Sequence, residues 1–152
     1  MSDFPPSDVV QLGGHVSRLS VSVRVASETL DPEAITRLMR VEPKFAAKKG
    51  AKRESGGRTV TQRIGIWTYG LTENSSSEWE LDDAIVALLN RLPDDLNIWR
   101  DLARTHQMDV FCGLFMGSDN QGTVLQSETL RSLANRGLSL DLDIYGPPPD
   151  DV

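Results

Sequence analysis

Leu138-Ser139-Leu140-Asp141-Leu142-Asp143-Ile144-Tyr145 alternates apolar and polar side chains without a break. A period of two places Leu138, Leu140, Leu142 and Ile144 on one side of an extended chain and Ser139, Asp141, Asp143 and Tyr145 on the other, which is a half-buried β-strand. Leu130, Leu133 and Ala134 precede it at helical spacing, so a helix is predicted over 127–135, with Gly137 as its left-handed terminator. Before that helix, Met108–Met116 is short and apolar on both faces and reads as a central strand, followed by a polar turn at 118–122. The C-terminal third is therefore strand, helix, strand.

The N-terminal third repeats this order. Leu19, Val21, Val23 and Val25 alternate with Ser20, Ser22 and Arg24. Asp31-Pro32-Glu33 then opens a helix: Asp31 can cap it, Pro32 suits its first position and Glu33 favours the positive end of the dipole. Ile35, Leu38 and Met39 share a face to about Arg40, and Pro43 prevents continuation. A second strand is expected around 60–71, with Ile64 and Ile66 on one face and Trp67 and Tyr69 on the other. Between the thirds, Ser77-Glu78-Trp79-Glu80 forms a capping box ahead of Leu81, Ile85, Leu88, Leu89 and Leu92. Pro93 ends that helix, and Asp94-Asp95 opens another with Leu96, Trp99, Leu102 and Ala103 as its buried stripe. The predicted fold class is α+β: two β-α-β units in the ferredoxin-like manner, a four-stranded, mainly antiparallel sheet, and a two-helix insertion between the second and third strands.

A chain of 152 residues with 39% hydrophobic and 25% charged side chains is one ordinary globular domain. It divides into a loose lead over 1–16, the domain over 17–145 and a disordered, Pro-rich acidic tail over 146–152. The formal net charge of -6 argues against nucleic acid as a partner. Met1–Pro6 has no basic and apolar leader, and no apolar run is long enough to span a bilayer, so a cytoplasmic protein without membrane contact is expected.

The motif order resembles a bacterial family catalogued as a domain of unknown function, family 4279. The residues that carry the resemblance are Leu30-Asp31-Pro32-Glu33 with Ile35 and Leu38, Glu42-Pro43, the basic segment closing on Lys49-Gly50, an isolated Trp67, and Gly137 through Tyr145. It covers about residues 19–145. It implies a fold and a bacterial origin and names no reaction.

Catalytic chemistry has little behind it. His15 and His106 lie in no metal-type spacing, and His106 sits where a helix end would favour it. Cys112 is flanked by apolar residues, which raises a thiol pKa. There is no G-x-S-x-G, G-x-G-x-x-G or P-loop. No catalytic residue, cofactor or metal is assigned, and the chain is read as not an enzyme.

Residues 44–63 differ most from the rest, with seven basic side chains against Glu54. Their balance of +6 leaves -12 elsewhere, and Gly50, Gly56 and Gly57 suggest a flexible loop. Lys48, Lys49, Lys52, Arg53 and Arg58, with Trp67 and Tyr69 as an aromatic platform, are the candidate binding residues. If helices cover one side of the sheet, the other would carry Trp67, Tyr69, Tyr145 and alternate positions of 108–116, an amphipathic surface for a partner. Asp141 and Asp143 share a face, and a basic side chain such as Arg24 on an adjacent strand would relieve their repulsion. The function expected is a non-catalytic protein-binding module, in one form an immunity-type protein that neutralises a bacterial toxin, with the acidic start Glu78–Asp83 facing a basic partner. A homodimer through the open sheet face is compatible with this. The alternatives are a small-molecule or anion-sensing domain built on the basic segment and Trp67, and an enzyme whose site is assembled only by the fold.

Overall fold

The structure is a computed structural model that describes residues 18–73, 80–118 and 120–147. The lead over 1–16, most of the tail, and Ser77, Glu78 and Trp79 lie outside the described residues.

Leu19, Val21, Val23 and Val25 build β1 (Arg18–Ser27) as the alternation requires, and all four are buried. Helix α1 (Pro32–Met39) starts at the predicted cap, where Asp31 Oδ1 accepts the Glu33 N–H at 3.2 Å. One feature departs from the sequence reading at this point. The basic segment is not a structureless loop. It holds β2 (Phe45–Ala47), β3 (Lys52–Ser55) and β4 (Arg58–Thr61). β3 and β4 form an antiparallel hairpin turned by Gly56 and Gly57, both at positive φ (60° and 76°), as a two-residue hairpin turn demands. The second long strand, β5 (Gly65–Glu73), follows and lies antiparallel beside β1.

Helix α2 (Leu81–Asn90) begins three residues later than a Ser77 cap requires, with Glu80 at the N-cap position and no side-chain cap bond. Helix α3 (Leu96–Ala103) is capped by Asp95, and its Trp99 is buried with Nε1 donating to the Pro93 carbonyl at 2.8 Å. Strand β6 (Gln107–Phe115), helix α4 (Ser127–Asn135) and β7 (Ser139–Tyr145) complete the chain. Gly137, at φ 70°, ends α4 in a Schellman motif: Leu138 N–H donates to the Leu133 carbonyl and Gly137 N–H to that of Ala134, with Leu133 and Leu138 both buried.

The main sheet has five strands in the order β2-β5-β1-β6-β7. The four long strands were expected, but their order corrects the ferredoxin-like reading. In a split arrangement each β-α-β unit encloses a strand of the other. Here β6 and β7 are neighbours and parallel, because α4 returns the chain directly to the next position. β1 and β5 are neighbours and antiparallel, because the β2–β4 excursion reverses the chain before β5. The sheet is mixed, and the short β2 is an added edge.

One side of the sheet carries the core, in which Val21, Val23, Val25, Trp67, Val110 and Cys112 meet Ile35 and Met39 of α1, Ile85 and Leu88 of α2, Trp99 of α3 and Leu133 of α4. Cys112 sits opposite Val21 and is fully buried. Desolvation, with the fields of Asp109 and Asp141 adding to it, pushes its thiol up to about 12. A disulfide exchange reagent at mildly alkaline pH should therefore leave the native chain unlabelled and modify Cys112 fully once denaturant is added. Rapid labelling of the native chain would contradict this burial.

Candidate functional site

The ladder registers define the other side of the sheet, which none of the described helices covers. Directly opposed residues share a face, so Phe45, Thr68, Arg24, Asp109 and Ser139 form one row across all five strands. Parallel rows run Gly70, Ser22, Phe111, Asp141 and then Thr72, Ser20, Gly113, Asp143. Arg18, Phe115 and Tyr145 close this side at the far end.

Phe45, Phe111 and Phe115 are the phenylalanines among the described residues, and all three stand on this face. Each carries an arginine. The guanidinium of Arg18 lies 4.1 Å from the Phe115 ring centroid, that of Arg24 4.4 Å from Phe111, and that of Arg53 5.1 Å from Phe45. Phe115 also stacks on Tyr145 at 4.6 Å, with 6° between the ring planes. A guanidinium on an aromatic face gains cation–π attraction and screens the ring from water while keeping its own N–H groups free at the rim.

Arg24 is the hub of this face. Its Nε donates to Asp109 Oδ1 at 2.8 Å and its Nη2 to Oδ2, a bidentate pair, and Nη2 also donates to Asp141 Oδ2 at 3.0 Å. The carboxylates hold the guanidinium above its ordinary pKa against the opposing effect of burial, the Asp109 hydrogen bond acting most. The expectation that Arg24 would meet Asp141 from an adjacent strand is corrected: β6 lies between β1 and β7, and Arg24 reaches Asp141 only because its side chain extends across β6. Asp143 Oδ2 accepts the Tyr145 hydroxyl at 2.6 Å, which raises the phenol's pKa because ionisation would lose this bond and put two anions side by side.

The sequence-predicted site residues are divided by the structure. Lys48, Lys49, Lys52, Arg53 and Arg58 are all exposed in or beside the β3–β4 hairpin. Lys49 Nζ donates to Glu28 Oε1 at 3.3 Å. Trp67 is not among them. It faces the core, is fully buried, and its Nε1 donates to Thr36 Oγ1 at 3.0 Å. Tyr69 lies on that inner side, 6.5 Å from Trp67, and its hydroxyl is 3.5 Å from Arg91 Nη1. The platform beside the basic hairpin is Phe45, which spacing did not single out; its pairing with Thr68 places it there. Tyr145 and the odd positions 109–115 lie on the uncovered face as expected, and Trp67 and Tyr69 do not.

The acidic start of α2 has internal work. Asp82 Oδ1 accepts the Gln126 N–H at 2.9 Å, and Thr123 Oγ1 donates to Glu80 Oε2 at 3.2 Å, so these carboxylates pin the approach to α4.

A cleft of about 610 Å³ opens at the end of the sheet, lined by Arg24, His106, Gln107, Asp109 and Ser139 among others. Its carboxylate is Asp109, already gripped by Arg24. His106 Nδ1 lies 3.2 Å from the Leu102 carbonyl and 2.9 Å from Thr105 Oγ1. Among the described residues no group of three or more His, Cys, Asp or Glu side chains is placed to hold a metal ion, and no helix is long and apolar enough to cross a membrane.

A family model, domain of unknown function DUF4279, matches residues 17–147. The chain belongs to this family. The match takes in every element from β1 to β7, including the hairpin and the two middle helices. No curated protein and no solved structure matches this DUF4279 chain.

Proposed function

We propose that this DUF4279 domain is a non-catalytic protein-binding module whose interface is the uncovered face of the sheet. The observation that supports this most is that all three described phenylalanines stand on that face, each beneath an arginine. Aromatic and arginine side chains are the residue types that most often dominate interface energies, and a flat sheet holds them rigidly at little entropic cost. Arg24 is already neutralised by Asp109 and Asp141, whereas Arg18 and Arg53 have no carboxylate partner among the described residues. The partner that fits is a protein presenting carboxylates to these two guanidiniums and apolar surface between them. An immunity-type role is one biological setting for such a module. In the cleft Arg24 and Asp109 are engaged with each other, and His106 Nδ1 with the Leu102 carbonyl and Thr105, which favours binding over catalysis. The sensing alternative loses its platform, because Trp67 is inside the core.

The test uses the full chain as bait and compares a captured partner's affinity for variants. Arg18→Ala and Phe115→Ala should each weaken it by about 2 kcal/mol, roughly thirtyfold, while Arg100→Ala on the exposed side of α3 should leave it unchanged. Far-UV circular dichroism checks that the variants fold. Equal affinity across all three would refute the uncovered face as the interface.

A further inference from the structure

The two edges of the main sheet are unlike. β2 offers three residues, flanked by Lys44 and Lys48. β7 offers seven, and among the described residues nothing pairs with its outer side. The phase of that edge follows from one hydrogen bond. Met116 N–H donates to the Tyr145 carbonyl at 2.9 Å, so the backbone groups of Tyr145, and of Asp143 and Asp141 two and four residues before it, turn toward β6. Those of Leu140, Leu142 and Ile144 then project outward. The side chains of these three residues lie on the helix side, opposite Val110, Cys112 and Leu114. Yet the helices stop short of the edge, leaving Leu142 44% and Ile144 55% exposed, where Cys112 and Leu114 one strand inward are buried. On the uncovered side the same edge presents Asp141 and Asp143.

We infer that β7 is an acceptor edge for an extended strand of a partner protein, one that alternates apolar and basic residues. Such a strand would complete the ladder through the free N–H and C=O groups of Leu140, Leu142 and Ile144. Its apolar side chains would cover Leu142 and Ile144, and its Lys or Arg side chains would meet Asp141 and Asp143. A second copy of β7 is the wrong occupant. Pairing two such strands about a dyad at Leu142 would set Asp141 against Asp143 on both sides, and like charges directly opposed destabilise a ladder. Exposed long edges are ordinarily blunted, whereas this one keeps apolar side chains at its rim. The inference does not depend on the aromatic face being an interface, since it uses the backbone and side chains of β7 alone and none of the phenylalanines or arginines of that face.

The probe is a synthetic peptide alternating lysine and valine, titrated into the full chain with amide chemical shifts as readout. Shifts should centre on β7. N-methylation of every second peptide amide should abolish binding in one phase and spare it in the other, because only one set of N–H groups can face Leu140–Ile144. Leu142→Pro removes an outward donor and should weaken binding by about tenfold or more. Should that variant fold poorly, Asp143→Lys provides a second reading: it should lose the lysine–valine peptide and gain a glutamate–valine one. Absent binding, insensitivity to both methylation phases, or a concentration-dependent dimer of the free chain abolished by Leu142→Pro would each overturn the inference.

Discussion

Trp67→Ala should cost the domain about 3–5 kcal/mol, the range for truncating a large buried aromatic, against a total stability for such domains of about 5–15 kcal/mol. The side chain has no solvent exposure and is among the largest in the core. It is anchored at one point by its Nε1–H, which donates to Thr36 Oγ1, while that hydroxyl donates in turn to the Pro32 carbonyl at 3.0 Å in the first turn of α1. Two graded variants separate volume from hydrogen bonding. Trp67→Phe keeps most of the ring and discards the donor together with its need, so its loss should be well below that of alanine. Thr36→Val keeps the indole and strands a buried N–H, which costs about 1–3 kcal/mol. Urea unfolding with a common m-value checks all three. A loss of less than about 1 kcal/mol for Trp67→Ala would place the indole on the solvent side, where the candidate platform had it.

That platform failed for a physical reason. Around β5 the sequence is apolar at Ile64, Ile66, Trp67, Tyr69 and Leu71, so alternation does not say which parity faces the core. The register with β1 decides it, through Val25 opposite Trp67 and Val21 opposite Leu71, and pairing of strands so distant in sequence leaves no mark in a local pattern. The hairpin was illegible in a different way. β3 is exposed at all four positions and β4 at three of four, so a hydrophobic period has nothing to report; the readable signal was the Gly56-Gly57 pair. Where one face is buried and the chain is locally capped, reading was direct: β1, the Asp31-Pro32 start of α1, and α4 with its Gly137 stop. β7 lies between these cases. Its alternation assigns the faces, but cover depends on how far the helices reach, and Leu142 and Ile144 remain open. The Arg18–Phe115 and Arg24–Phe111 stacks were hidden for the same reason as Phe45, since register alone brings these residues together, while Arg53 reaches Phe45 from the separate hairpin.

Gly70→Ala should destabilise the chain by about 1–3 kcal/mol, although alanine in a strand is ordinarily better than glycine by about 0.5–1 kcal/mol. Gly70 is opposite Ser22, and a Cβ built on it would lie 2.6 Å from Ser22 Cβ, 2.6 Å from the Val21 carbonyl oxygen and 3.0 Å from Ser22 Cα. Two of those atoms are backbone and cannot rotate away, so β1 or β5 must move. β1 is poorly free to do so. Its other side is held by the ladder to β6, where Ser22 faces Phe111 and Arg24 faces Asp109. A shift there would disturb both the Arg24–Asp109 pair and the Arg24–Phe111 stack. Ser22→Gly removes one of the three obstructions and leaves the carbonyl, so the double variant should recover part of the loss and no more, a coupling that a double-mutant cycle measures directly. A neutral or stabilising Gly70→Ala would mean that the β1–β5 ladder yields without its neighbour. The uncovered face would then be too compliant to hold its guanidiniums and rings in a fixed array, and the rigidity on which the proposed interface relies would be lost.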